Sequence, residues 1–120
     1  MSGINLFRHA QNVATYEPGQ IIFNAGDPGD VMYAVLEGTV DILVGDEVID
    51  SHEPGAIFGE MALVDAGPRS ATARARTAVK VALVGEKQFL RMVEQTPFFA
   101  LQVMRTMSER LRRRMQPAAS

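Results

Sequence analysis

Glycine and proline break the first seventy residues at short intervals: Pro18-Gly19, Gly26-Asp27-Pro28-Gly29, Glu37-Gly38, Gly45-Asp46, Pro54-Gly55 and Gly67-Pro68. Turn residues this frequent leave room for strands and none for long helices. The runs between the breaks carry strand chemistry. Ile21-Ile22-Phe23 and Val31 to Leu36 are apolar and rich in β-branched and aromatic residues, and Val40, Ile42 and Val44 alternate with Thr39 and Asp41. Ala71, Ala73 and Ala75 alternate with Thr72, Arg74 and Arg76, then Val79, Val81 and Leu83 with Ala78, Lys80 and Ala82. A period of two predicts an antiparallel sheet with one dry face, closed into a sandwich or roll.

The pattern changes at Gly85. Glu86 to Gln95 predicts a short helix, and Pro97 falls at the start of a second one, where its missing N–H is not needed. In that helix Ala100, Val103, Met104, Met107 and Leu111 lie within about 100° of arc, opposite Gln102, Arg105, Glu109 and Arg112, so the apolar set is expected to pack on the roll. Leu6 to Asn12 fits a small N-terminal helix. A chain of 120 residues has room for one real core. The expectation is a single domain over 1–120, mainly β, with the roll at about 13–84 and C-terminal helices at about 86–115.

Composition excludes several chemistries. Without cysteine there is no disulfide, thiol nucleophile or Cys-type zinc site, which fits a reducing cytoplasm. The start Met1-Ser2-Gly3-Ile4-Asn5 has no signal-peptide character, and no apolar run approaches the ~20 residues needed to span a bilayer. The two histidines, His9 and His52, do not share a ligand spacing, so no metal is expected. No Ser-His-Asp arrangement and no paired carboxylate motif points to catalysis.

Charge is distributed unevenly. Residues 1–66 carry eleven acidic residues against Arg8 alone, a sum of −10, whereas residues 67–120 carry eleven basic against three acidic, a sum of +8. An anion is repelled by the first half in general, so a site for one must rest on local donors. The first basic residue of the second half is Arg69.

Arg69 ends the stretch with the densest chemistry, "FGEMALVDAGPRSATARA" at 58–75. Gly59 permits backbone conformations that a Cβ blocks. Glu60-Met61-Ala62-Leu63 can form one helical turn whose free N–H groups face an anion. Asp65 to Pro68 stops the turn and returns Arg69 across the gap, with the Ser70 hydroxyl beside it. A guanidinium suits a phosphate. A carboxylate would repel that phosphate, so Glu60 is suited to a neutral donor nearby, such as a sugar hydroxyl. Gly59, Ala62, Ala71 and Ala73 are small enough to let a ligand lie on backbone. The pair fits a ribose carrying a cyclic phosphodiester.

"FGEMAL" followed by "PRSATA" resembles the phosphate-binding cassette of cyclic nucleotide-binding domains, and the resemblance extends over roughly residues 16–113. It implies a β-roll flanked by helices, with Glu60 accepting from the ribose 2′-hydroxyl and Arg69 clamping the cyclic phosphate. Backbone groups around Gly59, Glu60, Met61 and Ala62, with Ser70 and Ala71, would complete the cradle. It also implies that binding orders the 59–71 cassette and shifts the C-terminal helices. Serine after the arginine occurs in bacterial cAMP binders, so cAMP is favoured over cGMP.

The chain ends at Ser120, soon after the last predicted helix, so the helix-turn-helix output of catabolite activator-like relatives is not expected, nor is DNA binding of that kind. The purine is left to the Met104–Met115 region, another chain, or solvent. "RLRRRM" at 110–115 reads as the solvated end of a helix rather than a nucleic-acid or lipid contact. The expected role is a regulatory sensor without cofactor or catalysis, signalling to a protein effector in trans or to an output domain in a longer protein. The competing expectation is a protein-interaction module of the same fold that has lost nucleotide binding.

Overall fold

The computed structural model describes residues 12–64 and 67–115. The helix expected over 6–12 lies outside the described residues except for Asn12, whose carbonyl accepts from the Leu83 amide at 2.9 Å. Eight strands come first: β1 Val13–Tyr16, β2 Ile21–Phe23, β3 Val31–Glu37, β4 Val40–Val44, β5 Glu47–His52, β6 Ile57–Phe58, β7 Thr72–Ala75 and β8 Val79–Gly85. One helical turn, α1 at Met61–Val64, separates β6 from β7, and α2 Glu86–Gln95 and α3 Phe98–Met115 follow β8. The described residues up to Glu86 form one compact unit and those from Lys87 another.

The strands build a roll of two four-stranded antiparallel sheets, ordered β1-β8-β3-β6 and β2-β7-β4-β5. Its core takes Tyr33, Val35, Phe58, Val79 and Val81 from the first sheet and Val40, Ala73 and Ala75 from the second. Alanine makes the β7 face thin, and aromatic rings fill the interior. Tyr33 and Phe58 stack at 5.0 Å, with Phe23 at 5.7 Å from Tyr33 and 6.1 Å from Phe58.

The expected alternation holds on β7, where Ala73 and Ala75 are buried and Thr72 and Arg74 are partly exposed. It fails on β8, where Ala82 and Val84 are as buried as Val81. β8 is an interior strand of its sheet, paired with β1 and β3, and side chains on both of its faces are out of water. On β4, Val44 is exposed and Asp41 is buried, the reverse of the predicted pattern at those two positions, and Leu43 is buried as well. A register shift between Ile42 and Leu43 disturbs the alternation there.

Within the C-terminal unit, the Phe89 and Phe99 rings lie 5.5 Å apart and Phe99 and Val103 are buried. Met104 and Leu111, expected on the covered face of α3, are instead 58% and 60% exposed. Phe99 is larger than any side chain in the expected set. Its burial with Val103, one turn on, rotates the covered stripe away from Met104 and Leu111.

One ion pair closes the outer face of the second sheet. Asp41 is buried, and its carboxylate receives the Arg76 guanidinium in two places, Nε to Oδ2 at 3.1 Å and Nη2 to Oδ1 at 2.7 Å. The Ser51 hydroxyl donates to Asp41 Oδ1 at 2.7 Å and accepts from Arg76 Nη2 at 2.9 Å. Burial alone would raise the Asp41 pKa, but the hydrogen bonds from Arg76 and Ser51, with the charges of Arg76 and Arg74, hold it below the usual carboxylate value. Asp41→Ala is expected to lower stability by about 1–2 kcal/mol in urea denaturation, since Arg76 stays half in water. Because the folded pKa is depressed, this contribution is intact above about pH 4 and is lost as pH falls through the folded value; Asp41→Asn should remove that part of the acid sensitivity.

Candidate functional site

The cassette begins where β6 ends. Phe58 is the last residue of the strand, and Gly59 follows with φ of 73°, a left-handed conformation that disfavours any side chain. The chain then turns through α1, with the Ala62 amide donating to the Gly59 carbonyl at 3.3 Å and the Leu63 amide to the Glu60 carbonyl at 3.0 Å. The Ala62 amide, one of those expected around the anion, makes a long bond within the turn.

The return limb is anchored to the β2–β3 loop. The Arg69 amide donates to the Asp27 carbonyl and the Gly26 amide donates to the Arg69 carbonyl, both at 2.8 Å. That loop is itself pinned, the Asp27 carboxylate accepting from the Asn24 amide at 2.9 Å and the Asp27 amide donating to the Asn24 carbonyl at 3.1 Å. The backbone of Arg69 is therefore fixed before its side chain makes any contact.

The side chain turns inward. Arg69 is only 8% exposed; Nη1 donates to the Gly59 carbonyl at 2.9 Å and Nη2 to the Val31 carbonyl at 2.8 Å. Its Cζ stands 4.2 Å from the centroid of the Phe23 ring and 5.6 Å from that of Tyr33. Glycine makes this possible on two sides. A methyl at Gly29 would collide with the guanidinium, and one at Gly59 would lie 2.8 Å from Nη1. Burial pushes the Tyr33 phenol up in pKa, with Tyr16 adding to the rise and the Arg69 charge opposing it.

What the guanidinium lacks is informative. Its Nε is buried without a hydrogen-bond acceptor, and no carboxylate among the described residues lies within ion-pair distance of it. A charge removed from water normally costs several kcal/mol unless it is paired. Two neutral carbonyls and a ring face compensate part of this, which leaves a cation with a spare donor and no counter-charge among the described residues.

The other expected residues divide. Glu60 is almost wholly buried at 1% exposure, and Ala62 and Ala71 are buried as well. Met61 is 50% exposed and Ser70 is also exposed. The structure joins Gly59 to Arg69 by a direct hydrogen bond and Ala62 to the same carbonyl. Phe23, Gly29, Val31 and Tyr33 belong to the site but were read only as strand and turn residues. A carbonyl such as that of Val31 leaves no side-chain signature, so only the fold brings it to Arg69. Among the described residues no group of three or more His, Cys, Asp or Glu could hold a metal ion, and no helix is long and apolar enough to cross a membrane.

Comparison with known proteins bears directly on this arrangement. Residues 13–96 match the cyclic nucleotide-binding domain family. The cAMP-dependent protein kinase regulatory subunit of Emericella nidulans is 37% identical over 86 residues, which is 70% of this chain and 21% of that protein. The chain spans about a fifth of the length of the curated relatives it matches first. Among solved structures, the EAL enzyme Bd1971 in its cAMP-bound form is similar at 37% identity and a TM-score of 0.64, covering 86% of this chain and 29% of that one. Its cGMP-bound form is similar at 38% and 0.66, covering 85% and 28%. The catabolite activator protein of Thermus thermophilus is similar at 28% identity and 0.77, covering 92% and 53%. With the family's model matched from the first strand through the first long helix, and the cassette and its arginine in one fold, the chain belongs to the cyclic nucleotide-binding domain family.

Proposed function

We propose that the domain is a regulatory sensor that takes a 3′,5′-cyclic nucleotide, cAMP in preference to cGMP, with Arg69 as the phosphate-binding cation and Glu60 as the ribose acceptor. The observation that carries this is the buried Arg69 guanidinium, which has a buried Nε–H without an acceptor and no carboxylate in reach among the described residues. A guanidinium has five N–H groups. Two are engaged here with the Gly59 and Val31 carbonyls. A phosphate oxygen offers the remaining donors a full negative charge, and charge-assisted bonds are about twice as strong as neutral ones.

Regulation follows from those same contacts. A phosphate that draws the guanidinium toward itself competes with the Gly59 carbonyl, and so acts on the turn joining β6 to α1. The 59–71 cassette is the element whose arrangement the ligand selects, and it can signal only to the extent that the ligand prefers one arrangement over the other. The kinase regulatory subunit and the cAMP-bound enzyme among its relatives support a signalling ligand. Ser70 carries the lean toward cAMP. The role is one of binding, with neither cofactor nor catalysis of its own, and the response passes to a protein effector or to a linked output domain.

Calorimetric titration with cAMP and cGMP tests the ligand. Arg69→Ala should weaken binding at least about tenfold, since each lost charge-assisted bond is worth roughly 1.5–3 kcal/mol. A thermal melt of the same variant checks that the roll persists, and unchanged affinity would remove Arg69 from the site. Glu60→Ala is expected to erase the difference between cAMP and its 2′-deoxy analogue. If the variant still prefers cAMP as strongly as the wild type does, Glu60 is not the ribose acceptor.

A further inference from the structure

Phe23 touches the guanidinium yet has no part in the contacts proposed for the ligand. Two hydrogen bonds, at Nη1 and Nη2, fix the guanidinium within its own plane. They do not fix the tilt of that plane. The Phe23 ring does, with Cζ 4.2 Å above its centroid, inside the range where a cation is drawn to an aromatic face. Gly29 closes another side, leaving no space for a methyl group. Tyr33 contributes less, being 5.6 Å away.

The ring is itself held. It packs at 5.7 Å against Tyr33 and 6.1 Å against Phe58, which stack on each other with planes 11° apart. Phe58 immediately precedes Gly59, whose carbonyl accepts from Nη1. One aromatic cluster from β2, β3 and β6 thus sets both the surface beneath the guanidinium and the start of the turn that supplies one of its acceptors.

An aromatic face differs from a carboxylate in one respect that matters here. Its quadrupole stabilises a buried cation without cancelling the net charge. A carboxylate in the same place would neutralise Arg69 and compete with any incoming anion.

We infer that Phe23 is a positioning residue for the anion site: its ring face sets the plane of the Arg69 guanidinium and stabilises the charge, without touching the ligand. The inference rests on the reading of Arg69 as the phosphate-binding cation. A ring serving only as core filler would be replaceable by an aliphatic side chain, and this separates the two roles.

The test compares wild type with Phe23→Leu and the conservative Phe23→Tyr, alone and in the Arg69→Ala background. In the ligand-free protein, proton resonances of the Arg69 Cδ and Nε, assigned with Arg69→Lys, should lie upfield from the ring current in wild type and Phe23→Tyr. In Phe23→Leu they should return toward values for free arginine. Calorimetric titration with cAMP should give binding about threefold to thirtyfold weaker for Phe23→Leu, restored in Phe23→Tyr, with no added loss in the Arg69→Ala background. Unmoved resonances in Phe23→Leu, or a Phe23→Leu loss just as large without Arg69, would overturn the inference. If wild type binds no cyclic nucleotide, the reading of the site fails, and the resonances alone still decide whether Phe23 holds the guanidinium.

Discussion

A positive charge held out of water dominates the structure around the cassette. Arg69 is buried, and what surrounds it is two backbone carbonyls, two glycines and an aromatic face. Each is a way of accommodating a cation without neutralising it. Gly59 and Gly29 remove the methyl groups that would displace the guanidinium, and the loop at Gly26 and Asp27 clamps the backbone from which the side chain departs. The left-handed turn at Gly59 is thereby tied to the same charge, because the carbonyl that Nη1 reaches is the one the turn presents.

A second arginine seven residues on shows what a structural ion pair looks like in the same roll. Arg76 meets Asp41 with two nitrogens, shares a serine hydroxyl, and keeps half of its side chain in water. Its partner holds the opposite charge, and the set is closed. Arg69 is the inverse case, more buried and less compensated. The two flank β7 in the chain, Arg69 in the loop that precedes the strand and Arg76 just after it.

Much of this architecture is legible in the residue order. The glycine and proline breaks mark the strand ends, and the Ala71-Ala73-Ala75 alternation identifies the buried face of β7 correctly. Gly85 marks the passage to helix, with Pro97 just ahead of α3. Local periodicity fails wherever the neighbours decide. β8 is buried on both faces at Val81, Ala82 and Val84, which its own alternation does not encode. On α3 the arc of small and medium side chains loses to one phenylalanine, Phe99, outside the predicted set. The cassette was visible because Gly59, Glu60 and Arg69 are side-chain choices at short range. Phe23 and the Val31 carbonyl were not, since they reach Arg69 only across the pairing of the sheets.

A structure of the domain determined with bound cAMP tests the role of the buried guanidinium most directly. The cyclic phosphate should lie about 3 Å from Arg69 nitrogens, with the ribose 2′-hydroxyl on the Glu60 carboxylate. A nucleotide bound elsewhere, with Arg69 still donating only to the carbonyls of Gly59 and Val31, would contradict it.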